Sequence, residues 1–367
     1  MSRVYKFPCA LHEADRMIGG KRFGKEHRLD VRANVTKITI EAPKGTQLEL
    51  DRAWRAETKA DDFGPDGKLT QEAVFRLIHK VVGPQIAIMG HAAFGLAHKQ
   101  AADDNRAADG RFEVSPTILG DVIGYRREPN GKASSSRISR DAAPQIRRYW
   151  DIYAGLSVRL TMTNGDTWQG NIVEPTSWTR TLRRLPGQKG RDRRQEWRIA
   201  TRIWERMRQD HVVIPLDLLH KGESRMPMAD WAHALRVYEV IAYRFRRQAD
   251  RLPSSGELNF SFDWLIHEAN VTGEKVRDDR ARAGIVTHLE RLAARGACTF
   301  SQVRLTNGQP GVTVRLAAER LAELLQVRGR GRRMGGVEDV RGPGMGGVED
   351  VKWGVSRTRP RRETPST

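Results

Sequence analysis

The chain has 367 residues, 38% apolar and 30% charged, which suits two domains with polar extensions. Lys and Arg number 64 against 45 Asp and Glu, a formal net charge of +19 whose long-range field attracts polyanions. No apolar run approaches the roughly 20 residues that cross a bilayer, and the first residues lack the continuous apolar core of a secretory signal. Cys9 and Cys298 alone make no disulfide or zinc framework, so the expected setting is a reducing cytoplasm, without membrane or cofactor.

Residues 1–68 read as an N-terminal extension. Its one clean alternation, Val35 to Ile40, predicts a strand, followed by a turn at Pro43-Lys44-Gly45. The breaker-rich stretch Asp61 to Gly67 marks a boundary. A first domain is expected over 69–175. Val74, Leu77, Ile78 and Val81 predict a helix, and Ile86, Met89, Ala93 and Leu96 predict another from Gln85 to about Ala102. In the segment VSPTILGDVIGY, Ser115 suits an N-cap, Pro116 the first helical position and Gly124 the helix end. A third helix begins near Ser139, with Ala142, Ile146, Tyr149, Trp150 and Tyr153 on one stripe. Two strands then flank the hairpin turn Asn164-Gly165-Asp166.

Residues 176–210 are expected to be a basic connector that becomes helical from about Gln195. The stretch Pro175 to Arg208 holds eleven Lys or Arg against three acids, a net of +8. A second domain, 211–327, repeats the plan. A long helix runs from Met228 to Arg251, and a short strand or helix follows at Phe260 to Ala269. A helix centred on Ile285, Leu289 and Leu292 stops at Gly296, strands pair around Thr306-Asn307-Gly308, and a closing helix spans Ala317 to Val327. Beyond Arg328 the composition is Gly- and Arg-rich, and Met334 to Val340 is repeated at Met345 to Val351. No core can form from it, so residues 328–367 are expected to be a disordered tail.

Three helices followed by a hairpin is the order of a winged helix. The fold class expected is therefore mainly α with short antiparallel β-hairpins: two winged-helix domains in tandem and a disordered basic C-terminal tail. In such a domain the third helix enters the major groove of double-stranded DNA and the hairpin touches the backbone or the minor groove. With the apolar stripe inward, Arg140, Arg147, Arg148 and Asp151 face outward, and Arg137 lies just before the helix. In the second domain Arg280, Thr287 and Arg291 lie opposite the apolar positions, and Arg277 precedes them. Arg159 and Arg304 are the phosphate candidates of the two hairpins. Arg180, Arg183, Arg184, Lys189, Arg191, Arg193 and Arg194 form an electrostatic cluster in the connector. Most single surface arginines are merely solvated, so the group carries the expectation more than any member.

No catalytic constellation emerges, and the chain is expected not to be an enzyme. Gly19 to Lys25 superficially matches a phosphate loop, but Glu26 stands where Ser or Thr should hold magnesium. His12-Glu13 and His267-Glu268 lack the second His of a zinc protease helix, and His91 with His98 lacks a third ligand.

The segments VSPTILGDVIGY and SRDAAPQIRRYWDIYAG, then LNFSFDWLIHEANV and AGIVTHLERLAARGACTF, together resemble the plasmid replication initiator (Rep) proteins of bacteria. The resemblance is one of pattern over roughly residues 69–325, and residues 1–68 have no counterpart in it. It implies binding to repeated origin sites, a monomer–dimer equilibrium, and recruitment of host helicase and initiator. A transcriptional regulator or autorepressor using the same modules is the alternative, and an RNA-binding factor, suggested by the tail, is a further one.

Overall fold

The computed structural model describes residues 4–9, 11, 35–41, 59–65, 70, 73, 76, 83–104, 109–125, 142–162, 167–183, 191–209, 211–221, 226–271 and 276–322. In chain order the elements are β1 (Val4–Pro8), β2 (Val35–Glu41), α1 (Gln85–Asp103), β3 (Arg111–Val114), α2 (Pro116–Ile123), α3 (Ala142–Gly155), β4 (Ser157–Met162) and β5 (Thr167–Asn171). They continue with β6 (Val173–Arg183), β7 (Arg191–Ile199), α4 (Thr201–Gln209), β8 (His211–Pro215), α5 (Met228–Arg247), β9 (Glu257–Ser261), α6 (Phe262–Ala269), α7 (Asp278–Ala294), β10 (Cys298–Arg304) and β11 (Pro310–Leu316). The architecture is mixed α/β with small antiparallel sheets, carrying more strand than the mainly helical expectation. No described helix is long and apolar enough to cross a membrane.

The helices form where side-chain spacing gives them a face to bury. In α3 the stripe Ala142, Ile146, Tyr149, Trp150 and Tyr153 is buried throughout. Each such large apolar side chain contributes about 1.5–3 kcal/mol when removed from water. Ser115 caps α2 by accepting from the Ile118 amide at 3.2 Å, Pro116 opens the helix, and Gly124 closes it at φ +70°, a left-handed conformation that an L side chain resists. α1 is buried on almost every side from Ile86 to Ala97, because it packs on β1, α2, α3, β3 and α5 together. Gly90 allows α3 its close approach: a Cβ there would lie 2.7 Å from the Tyr153 hydroxyl oxygen.

In the second half, α5, β9, α6, α7, β10 and β11 follow one another, and the strands close on themselves in the order β10-β11-β9. Their shared core includes Trp231, Leu265, Ile285, Leu289, Leu292, Val312 and Val314. The first half runs through the same order, α1, β3, α2, α3, β4, β5, with different pairing. The β4–β5 hairpin takes β2 as its third strand, and β3 leaves to join β7 and β6.

The connector expected over 176–210 carries most of β6, all of β7, and α4. The helix begins at Thr201, and Gln195–Ile199 are strand residues. The basic composition hid them: apart from Val173, Trp178, Leu182, Trp197 and Ile199 these strands are mostly charged or polar, and no sustained apolar alternation announces them. Of the helix expected around 74–81, only Ala73 and Arg76 are among the described residues, and both are helical. The turn at 164–166, the tail 328–367, Arg137, Arg140, Arg184 and Lys189 lie outside them.

β1 and β8 form a two-stranded sheet beside the contact between α1 and α5. Tyr5 and Phe7 of β1 are buried there. The Tyr5 hydroxyl meets His91 Nδ1 at 3.0 Å, and Phe7 stacks on the same ring at 4.3 Å. Across the contact Glu239, fully buried, lies 3.5 Å from His91 Nε2 and accepts from Arg236 Nη1 at 2.7 Å. A buried carboxylate persists only when answered by hydrogen bonds and opposite charge. This cluster therefore joins the N-terminal strand, the first half and the second half.

Candidate nucleic-acid interface

α3 presents Arg147, Arg148 and Asp151 to solvent, as its stripe requires. At its N-terminal half the Tyr125 hydroxyl donates to Gln145, which donates from Nε2 to the Tyr149 hydroxyl at 2.7 Å. Burial pushes the Tyr125 phenol up to about 12 and raises that of Tyr149, so both hydroxyls stay protonated and act as rigid polar props. Beside α3 a cleft of about 280 Å³ is lined by Ser115, Pro116, Arg147, Trp150, Asp151, Gln195 and Trp197. Trp150 meets Trp197 edge-on at 5.2 Å, which fixes the base of β7 against α3.

The opposite side of β7 has the contrary charge. A hollow of about 520 Å³ is bordered by Asp103, Asp104, Glu113, Asp121 and Glu196 against Lys99 and Arg194. Arg194 lies 3.3 Å from Glu113 there, so its charge is matched within the protein. A polyanion would be repelled from this hollow.

The hairpin cation Arg159 is exposed on β4, with its guanidinium donating to Gln169 at 2.8 Å. Arg183, Arg191 and Arg193 occupy register positions on β6 and β7: Arg183 pairs with Arg191, and Arg193 with Thr181.

On α7 the cations are more often tied to carboxylates. Arg277, the N-cap residue, lies 3.4 Å from Asp279, and the first turn is acidic with Asp278 and Asp279. Arg291 is half-buried and bonded to Asp230 of α5 at 2.9 Å, and its other nitrogen contacts His288. It staples α7 to α5, because the apolar stripe turns its stem inward. Thr287 is exposed and donates back to the Ala283 carbonyl at 3.0 Å, and Arg280 is exposed. Arg304 is exposed at the end of β10, opposite Pro310.

No known family matches the chain, and no curated protein does. Among solved structures it is similar to domains 2 and 3 of RctB. The two are 11% identical, with a TM-score of 0.36, and the likeness covers 62% of this chain and 80% of that one. A likeness that slight carries no argument about fold or function.

Two features of the site are missed in the sequence. The neighbourhood of α3 and β7 depends on a tryptophan pair 47 positions apart, Trp150 and Trp197, which no local pattern reveals. Arg291 and Arg194 look outward by spacing, yet each meets a carboxylate from a distant element. Among the described residues no group of His, Cys, Asp or Glu could hold a metal ion.

Proposed function

We propose that the protein binds double-stranded DNA sequence-specifically through two winged helices in tandem, and that it acts as a plasmid-type replication initiator at repeated origin sites. One observation carries this reading: the succession helix, strand, helix, helix, strand, strand occurs twice in one strongly basic chain. Each time, the helix before the hairpin exposes polar or basic residues opposite a buried apolar stripe. That helix is the one a winged helix lays in the major groove, where Arg suits bidentate contact with guanine O6 and N7. α3 is the principal reader, through Arg147 and Arg148, with Arg140 upstream. α7 contributes Arg280 and Thr287. Two modules in one chain suit sites that recur at about one helical turn, roughly 10 base pairs.

The test is selection from a random-sequence duplex library with the full chain at about 150 mM salt, where non-specific binding is weakened. Enrichment of a directly repeated site supports an initiator. A single palindrome assigns the chain to the regulators instead, and no enrichment overturns sequence-specific binding. Within the selected site, reversing charge at Arg140, Arg147 and Arg148 together should abolish the footprint and leave the fold intact. An unchanged footprint would remove α3 from the role of reader.

A further inference from the structure

We infer that the β6–β7 ribbon is a second duplex-contacting element, contiguous with α3 and sized for the major groove of DNA. The inference rests on the duplex-binding reading above and adds an arm that this reading does not require. β3 pairs with β7 only from Arg198 to Gln195. Past Gln195, β7 and β6 continue as a two-stranded ribbon through Arg194↔Arg180, Arg193↔Thr181, Asp192↔Leu182 and Arg191↔Arg183. Four further residues at about 3.3 Å each carry it roughly 13 Å beyond the three-stranded part. Successive strand residues alternate between faces, so Arg191 and Arg193 follow Trp197 and Gln195 on one side. Cross-strand register adds Thr179, Thr181 and Arg183 to that side.

This sidedness decides the partner. Gln195 and Trp197 line the cleft beside Arg147, so the register positions of Arg183, Arg191 and Arg193 fall on the side of β7 that faces α3. The ribbon positions on that face include no carboxylate. The other face continues from Arg194 and Glu196, which border the acidic hollow. Like charges directly opposite on paired strands destabilise the pairing, and a free two-stranded ribbon is marginal in water. Arg183 and Arg191 hold facing register positions, and a polyanion along this face would carry the opposite charge. A two-stranded ribbon fits the major groove of B-DNA, about 12 Å wide. A-form RNA, whose major groove is deep and narrow, would admit it poorly.

The experiment measures binding of the full chain to a 30-base-pair mixed-sequence DNA duplex, and to the RNA duplex of the same sequence, across a salt series (roughly one to three protein footprints of 10 base pairs). The variants are R183A/R191A/R193A and R183K/R191K/R193K. The alanine variant should lower the slope of log affinity against log salt by about 0.9 for each phosphate no longer neutralised, thus by about 1–3 on DNA. The slope on RNA should stay as in the wild type, and the lysine variant should keep the wild-type slope on DNA. Should the triple alanine variant fail to fold, R191Q alone should lower the DNA slope by about 0.9. Equal loss on both duplexes, or no loss on DNA, overturns the assignment. If the unsubstituted chain binds no DNA duplex at all, the functional reading itself falls. If it binds and the variants match it, only the ribbon inference falls.

Discussion

The two halves follow one order of elements and solve their sheets differently. The second half closes β9, β10 and β11 into a single sheet over its own helices. The first half divides the same strands between two sheets, each completed from elsewhere: one by β2 of the N-terminal extension, the other by β7 and β6 of the segment that follows. Element order thus fixes which pieces a module owns, while edge availability fixes which of them pair. A strand whose edge is offered a longer partner takes it, because unpaired backbone groups are costly.

The largest effect should come from cutting the chain. A fragment spanning residues 216–327 should unfold cooperatively by circular dichroism, since β9, β10 and β11 all find their sheet partners inside it. A fragment spanning 69–175 should give no cooperative transition, because β2 and β7 lie outside it. A cooperative transition in the latter would show that the borrowed strands are dispensable.

Next in size is the join between the halves. Arg236→Ala leaves the Glu239 carboxylate buried without that partner, and breaking a buried pair costs about 3–5 kcal/mol. Chemical denaturation of the full chain should register that loss, and a loss below about 1 kcal/mol, the range of exposed pairs, would mean the contact is wet.

Acid should act on the same region. Burial lowers His98 to about 4 and His211 to about 3, and the charge of Lys6 adds to the shift in both. The unfolded chain takes up these protons near pH 6.5 and the folded chain does not. Stability from these two sites is therefore complete above that pH and falls steadily between about 6.5 and 3. Melting temperatures measured from pH 8 to 4 check this. For a double variant, His98→Gln with His211→Gln, the acid-side fall should be shallower.

The smallest effect separates the two reading helices. Arg291→Ala removes a partly exposed ion pair and should cost at most about 1 kcal/mol of stability, with DNA affinity unchanged. Arg147→Ala should do the reverse, leaving the melting temperature alone and weakening binding to a selected site. If both substitutions weaken binding equally, α7 reads DNA as directly as α3.

Much of this is legible along the chain. The stripes of α3 and α5, the cap at Ser115, and the β10–β11 hairpin at Asn307-Gly308 follow from local spacing and turn chemistry, and each appears at its expected place. The ribbon is not legible. Apart from Leu182 its residues are charged or polar, so period-two alternation of apolar residues, the signal for a half-buried strand, is missing. Nor is the departure of β3 to β7, since Phe112 opposite Trp197 is a pairing across 85 positions. The paired cations are hidden for the same reason: the carboxylates that meet Arg194 and Arg291 come from residues 81 and 61 positions away.

The β1–β8 pair has a consequence during synthesis. Val4 pairs with Pro215, so β1 leaves the ribosome long before its partner exists. At about 5–20 residues per second, the wait is roughly 10–40 s. Through that interval Tyr5 and Phe7 can meet only His91 and Phe94 of α1, and the backbone edge of β1 stays without its partner strand. Chaperone capture of that strand, or a pause timed to the emergence of residues 211–215, would then govern how much of the protein reaches its native state.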